Sequence, residues 1–165
     1  KRRAENYALC AQKVVEHALQ RRGRLFVDID NTISDAWKRI RRATIPQWPG
    51  HSFDAKAHSP EELAKDSPLP GAQGALASLT RDWEVTYLSA RGAAGAFQAT
   101  SKWLKEHQFP NYGQLVLVSD PLEKLDWLQD ATHARPGRPV TLVDDLTRGH
   151  HLAQPLPDEN MRAAL

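Results

Sequence analysis

The apolar positions along the chain fall into two rhythms. Four short runs, "RLFVD" (24–28), "EVTYLS" (84–89), "QLVLVS" (114–119) and "VTLVD" (140–144), are almost continuously β-branched or aliphatic. A strand with one wet face alternates apolar and polar residues, whereas a parallel strand covered on both faces reads as an unbroken apolar run. Between these runs the period becomes helical, over 71–81 "GAQGALASLTR", 93–107 "AAGAFQATSKWLKEH" and 121–131 "PLEKLDWLQDA". Strand–helix alternation predicts an α/β fold: a three-layer, Rossmann-like parallel sheet with helices on both faces, joined by right-handed crossovers.

Other segments stand outside this rhythm. Residues 4–20 place apolar side chains at 8, 11, 14, 15 and 18, the spacing of a helix, and "RRGR" (21–24) supplies basic residues and a glycine stop. Residues 1–23 are therefore expected to form a helix that packs on the domain or links it to a preceding one. The stretch from 29 to 83 is longer than a crossover helix needs. Within it "SDAWKRIRRA" (34–43) reads as a basic helix with Ser34 as its N-cap, and 44–60 reads as a Pro-, Gly- and His-rich loop. "SPEELAKD" (59–66) carries a capping-box pattern, with Ser59 as N-cap, Pro60 at the first position and Glu62 at the third. Long insertions in compact domains tend to be lids or binding elements. The expected organisation is a core over 24–150 with a small cap insert at about 34–68 after the first strand, and a tail over 151–165 made of loop and a weak helix.

Composition narrows the class. The chain has 165 residues, 25% charged and 41% hydrophobic, with a net charge of +2, as expected of one globular domain with a real core. The basic excess sits in "KRR" (1–3), "RRGR" (21–24) and "KRIRR" (38–42). Cys10 is the only cysteine, so neither an internal disulfide nor a Cys-based zinc site can form within the chain. That fits a reducing compartment, and a cytoplasmic location is expected. There is no apolar run of about 18 residues and no signal-peptide core, so no stable membrane insertion is expected. The chain opens on Lys1 rather than Met, and a piece of something longer or a processed product is therefore expected.

In an open parallel sheet, ligands bind beyond the carboxyl ends of the strands. Here those ends carry chemistry. The first run ends in Asp28, with Asp30 and Thr32 close behind; the second ends in Ser89 and Arg91; Lys124 follows the third; the fourth ends in Asp144 and Asp145. Four carboxylates converging on a low-dielectric edge repel one another. A hard divalent cation relieves that repulsion, and Mg²⁺ favours a few carboxylates together with waters and a substrate phosphate. Lys124, Ser89 and Thr32 offer a cation and two hydroxyls suited to phosphoryl oxygens. A carboxylate such as Asp28 can attack phosphorus to form an aspartyl-phosphate, and an acid two residues on, Asp30, can protonate the leaving group and then activate water.

The ordered set "DIDNT" (28–32), "YLSAR" (87–91), Lys124 in "PLEKLDWL" and "LVDDL" (142–146) resembles the four motifs of the haloacid dehalogenase superfamily of phosphohydrolases. The resemblance covers about residues 24–150. It implies that Asp28 is the nucleophile, Asp30 the general acid and base, and Thr32, Ser89, Arg91 and Lys124 the holders of the phosphoryl group. It further implies Mg²⁺ on the Asp28 side chain, the Asp30 carbonyl and Asp144, with Asp145 in or near the metal's shell. Asn31 stands where the family often has Gly, in a turn that asks for positive φ, a conformation Asn tolerates. Lys102 and Lys105 are rivals for the lysine role, but Lys124 follows its strand by the shorter loop and opens a helix.

The phosphorylated substrate is less marked. Arg91, Thr100, Trp103 and Leu104 in "YLSARGAAGAFQATSKWLKEHQFP" (87–110) resemble both the 3′-phosphatase domain of polynucleotide kinases and the lipin-like phosphatidate phosphatases. Lys38, Arg41 and Arg42 fall on one side of the basic helix, where they can track a nucleic-acid backbone, with Trp37 or Trp48 free to stack a base. The plainer alternative packs Trp37 and Ile40 on the core and leaves the basic side wet. A lipid or small-metabolite phosphatase, and a non-catalytic regulatory domain of the same fold, are the alternatives. A phospho-receiver domain would place its adjacent acids on the first strand, and a metal nuclease would leave Ser89 and Lys124 without roles. His51, His58, His150 and His151 match no compact zinc spacing.

Overall fold

The computed structural model describes residues 22–46, 51–53, 55–148 and 156–164. Of Arg41, Arg42, His51 and His58 only the backbone is described, and the expected helix over 4–20, Cys10, Trp48, His150 and His151 lie outside the described residues.

The core is a four-stranded parallel sheet of β1 (Gly23–Val27), β6 (Trp83–Ala90), β7 (Leu115–Val118) and β8 (Val140–Val143), in the order β7-β6-β1-β8. In the register, Val27 lies beside Tyr87 on one side and Val143 on the other. Three helices link the strands: α3 (Ala72–Leu79), α4 (Ala96–Glu106) and α5 (Lys124–Ala134). The strands are apolar on both faces because helices cover both. Leu25, Val27, Val85 and Tyr87 pack with Leu76 of α3 and Trp103 and Leu104 of α4. Phe26, Leu88 and Val118 point the other way, onto Ala131 and Leu128 of α5.

This topology fixes where a site can form. From β1 the chain steps outward to β6 and β7, then returns across the sheet to place β8 on the opposite side of β1. The gap between the carboxyl ends of β1 and β8 is thus a topological switch point, where loops diverge and leave a crevice.

The insert after β1 is built of β2 (Ser34–Asp35), α1 (Trp37–Ala43), β3 (Thr44–Pro46), β4 (His51–Phe53), a 3₁₀ turn at Ala55–His58, α2 (Pro60–Leu63) and β5 (Ser67–Pro68). β2 and β5 pair antiparallel and close its base. At the far end of the chain β9 (Thr147–Arg148) pairs with β10 (Leu156–Pro157), followed by α6 (Glu159–Ala164). No helix among the described residues is long and apolar enough to cross a membrane.

Some expectations are corrected. Ser34 does not cap a helix: it is buried in β2, its hydroxyl donating to the Ile29 carbonyl at 3.1 Å, and the helix starts at Trp37. The turn after Asp28 captures that hydroxyl before a helix can use it. The stretch 44–60 is not all loop, since Thr44–Pro46 and His51–Phe53 pair as a hairpin. Its Thr, Ile and Phe are good strand formers, outweighed in the sequence reading by the intervening Pro and Gly. The helix expected over 121–131 opens as a 3₁₀ turn at Pro121–Glu123 and runs as α5 to Ala134. The cap at Ser59 is as expected, its side chain accepting from the Glu62 amide.

Candidate active site at the switch point

The turn that follows β1 explains how Asp28 and Asp30 reach one crevice. The Ile29 carbonyl accepts from the amides of Thr32, Ile33 and Ser34, at 3.3, 3.1 and 3.0 Å. That winds the chain tightly, and Asn31 absorbs the strain at φ 61°. Ile29 itself is buried and anchors the turn in the core.

Two charged clusters result. In the first, Lys124 at the start of α5 donates to Asp28 Oδ1 at 2.8 Å and to Asp144 Oδ2 at 2.7 Å. Three strand ends therefore meet on one ammonium, and Lys124 is buried in doing so. The rival lysines sit elsewhere, Lys102 pairing with Glu106 and Lys105 lying over the Tyr112 ring. The Thr32 hydroxyl donates to Asp28 Oδ2 at 3.4 Å and accepts from the Asp145 amide at 3.1 Å, tying the first turn to the fourth strand's end. Asp144 Oδ1 accepts from the Leu146 amide at 2.8 Å, and Leu146 adopts a positive φ of 46°.

The carboxylates of Asp28 and Asp144 outnumber the one ammonium they share. Asp28, Asp144 and Asp145 each bring a carboxylate oxygen within 4.8 Å of the others. Burial, the largest cause, pushes Asp28 up to about 6; Lys124 pulls it down, while Asp144 and Asp30 push it further up. Burial works against the charge on Lys124 as well, but Asp28 and Asp144 outweigh it and raise its pKa. The donor set, three carboxylate oxygens within 4.8 Å of one another, fits a hard divalent cation.

The second cluster balances itself. The Asp30 carboxylate turns away from the first group toward two buried arginines. Arg91 Nη2 donates to Oδ1 at 2.6 Å and Nε to Oδ2 at 3.1 Å, while Arg39 Nη2 also bonds Oδ1. Arg39 further bonds both oxygens of Asp66, at 3.1 and 2.9 Å, and the Ala57 carbonyl at 2.7 Å. Arg91 Nη1 donates to Thr100 at 2.8 Å. Burial raises Asp66, with Arg39 opposing the rise. Burial opposes the charge on Arg91, and Asp30 more than restores it.

The expected residues are thus distributed unevenly. Asp28, Thr32, Lys124, Asp144 and Asp145 come together. Asp30 lies beside them, but its side chain is outside the three-carboxylate group. Arg91, expected on a phosphoryl group, has its guanidinium engaged by Asp30 and Thr100. Ser89 is buried at the end of β6, and its hydroxyl bonds no described residue.

Sequence reasoning missed Arg39 and Asp66. Arg39 carries a signal: in the sequence Ala36, Arg39, Ile40 and Ala43 fall at i, i+3, i+4 and i+7, an otherwise apolar stripe. Ala36 and Ile40 are buried on it, as is Arg39. Of the proposed basic side, Lys38 is exposed, and the side chains of Arg41 and Arg42 lie outside the described residues. No family model matches the chain, and no curated protein matches it.

Proposed function

We propose that the chain is a phosphomonoester hydrolase of the haloacid dehalogenase type, working through an aspartyl-phosphate on Asp28. The observation that carries this reading is the meeting of Asp28, Lys124 and Asp144 at the switch point, at 2.8 and 2.7 Å. A carboxylate fixed by an ammonium at the mouth of a parallel sheet is positioned to attack, with positive charge ready for the phosphoryl oxygens.

In the first half-reaction an Asp28 oxygen forms a bond to phosphorus as the bond to the ester oxygen breaks. Asp30, once it has taken up a proton in place of a guanidinium contact, delivers that proton to the departing oxygen, which leaves as an alcohol. In the second, Asp30 takes a proton from water, the water oxygen bonds to phosphorus, and the acyl-phosphate bond to Asp28 breaks to free inorganic phosphate. Arg39 and Arg91 hold both oxygens of the ionised Asp30 and so aim the carboxylate at the water of the second step. Ser89 and Thr32 offer hydroxyls to the phosphoryl oxygens. Mg²⁺ held by Asp28, Asp144 and Asp145, with the Asp30 carbonyl, would supply the missing positive charge.

A nucleotide or nucleic-acid end phosphate is the substrate class we favour, in a cytoplasmic setting consistent with the single cysteine. The test is phosphate release from an aryl phosphate, mononucleotides, a 3′-phosphorylated oligonucleotide and phosphatidate, with Mg²⁺ or EDTA. Metal-dependent release that vanishes in Asp28→Asn is the expected result. No release from any ester would leave a binding module as the reading.

A further inference from the structure

A groove of about 500 Å³ runs beside β7, the edge strand of the sheet, away from the Asp28 cluster. Its lining includes Arg91, Gly92, Ser119 and Leu117, and two aromatic side chains, Phe97 and Trp127. Phe97 is 50% exposed and Trp127 44% exposed. Their positions are informative. Phe97 lies in the first turn of α4 and Trp127 in the first turn of α5, and both helices start at the carboxyl edge of the sheet, where the catalytic groups sit. Exposed aromatic side chains gathered on one groove, unlike ones scattered singly, mark a binding surface.

The groove connects to the chemistry through one side chain. Arg91 forms part of its wall and holds Asp30 at 2.6 and 3.1 Å. Asp30 is the group that would protonate the departing oxygen, so whatever that oxygen carries emerges on the Arg91 side. The end of β7 is two strands from the end of β1, about 10 Å at ordinary strand spacing. That is a short reach for a group attached to a phosphate. Among the described residues Arg91 is the one cationic side chain in the lining, and Asp30 and Thr100 already occupy it. The groove therefore does not suit a run of backbone phosphates. It suits an uncharged flat ring.

We propose that this groove is the leaving-group subsite of the phosphatase, and that it takes a planar aromatic ring between Phe97 and Trp127. The inference rests on the phosphatase reading above and adds the substrate's second feature: a phosphomonoester whose alcohol carries an aryl or nucleobase ring. Stacking on an aromatic side chain tolerates many rings, so both sources share one chemistry.

The experiment compares kcat/KM for an aryl phosphate, a nucleoside monophosphate and glycerol phosphate in the wild type, Phe97→Ala, Trp127→Ala and, as a control on an exposed apolar residue elsewhere, Leu79→Ala. The wild type should favour a ring-bearing ester over the glycerol ester. That preference should shrink roughly tenfold in Phe97→Ala and Trp127→Ala and persist in Leu79→Ala. Which ring-bearing ester loses more identifies the source. The same preference in all four proteins overturns the subsite while leaving the phosphatase standing.

A second readout is independent of turnover. An unphosphorylated nucleoside or phenol should quench tryptophan fluorescence in the wild type, and the Trp127→Phe variant should lose that quenching. If no ester is hydrolysed but this Trp127-dependent quenching remains, the ring site stands and the phosphatase reading fails. A drop in sedimenting mass in Trp127→Ala would assign the groove to a second copy of the chain and overturn the proposal.

Discussion

At the scale of single residues, Asp28 and Arg39 carry the sharpest consequences. The Asp28 carboxyl lies above its ordinary 3.8, at about 6, chiefly because it is buried. Between those two values the folded protein holds a proton that the unfolded chain has already released. Without metal, stability should therefore fall as pH rises from about 4 to about 6, by roughly 3 kcal/mol at 1.36 kcal/mol per unit. Other carboxylates add their own trends, so the informative quantity is the difference between wild type and Asp28→Asn in EDTA, followed by urea denaturation. Parallel pH traces for the two proteins would show that Asp28 ionises freely in the fold. Arg39 is different, because its charge is fully spent inside the protein. Arg39→Ala strands Asp66 and removes one of the two guanidinium groups on Asp30, and should cost about 3–5 kcal/mol. Arg39→Lys restores the charge but not the planar fork that reaches Asp66, Ala57 and Asp30 together. If Arg39→Lys is as stable as the wild type, the fork geometry contributes nothing.

Among the elements, the seam between the insert and the core decides how freely the insert can move. Asp66 binds Arg39 of α1 through its side chain and the Trp103 indole of α4 through its carbonyl, at 2.8 Å. Gly95, just before α4, has φ 79°, and a Cβ placed there would lie 3.0 Å from Cγ of Pro60 at the start of α2. Both terms oppose a side chain, so Gly95→Ala should cost about 1–2 kcal/mol. Adding Pro60→Ala relieves the contact but not the dihedral, and thermal melting of the single and double variants separates the two. Full recovery in the double variant would mean the dihedral costs nothing. This seam also marks the limit of what the sequence made legible. The strands, their parallel order and the acids at their ends could be read because unbroken apolar runs and terminal charges are local patterns. The Arg39–Asp66 pair joins residues from opposite ends of the insert, and no local period links them. Arg91 was legible as a polar residue at a strand end, yet its partner was not, because Asp30 could face either a phosphoryl group or the arginines, and only packing decides.

For the whole molecule, the crowding of Asp28 and Asp144 on a single ammonium, with an Asp145 oxygen within 4.8 Å, concentrates negative charge at the switch point. Lys124 already holds oxygens of both Asp28 and Asp144, and Thr32 and the Leu146 amide take the others. Residual repulsion falls on the junction of β1 and β8, whose strands end at Asp28 and Asp144. A cation that binds only the folded chain stabilises it by mass action, about 2.7 kcal/mol at a hundredfold excess over its dissociation constant. For a domain of this size that raises the melting temperature by roughly 5–10 °C. Asp144→Asn should remove most of the rise, because it lowers the charge surplus and deletes a ligand together. General screening would also ease the repulsion, so the comparison needs NaCl at matched ionic strength. A rise with Mg²⁺ that NaCl does not reproduce, and that Asp144→Asn abolishes, assigns the effect to a site; equal rises in the two salts assign it to screening.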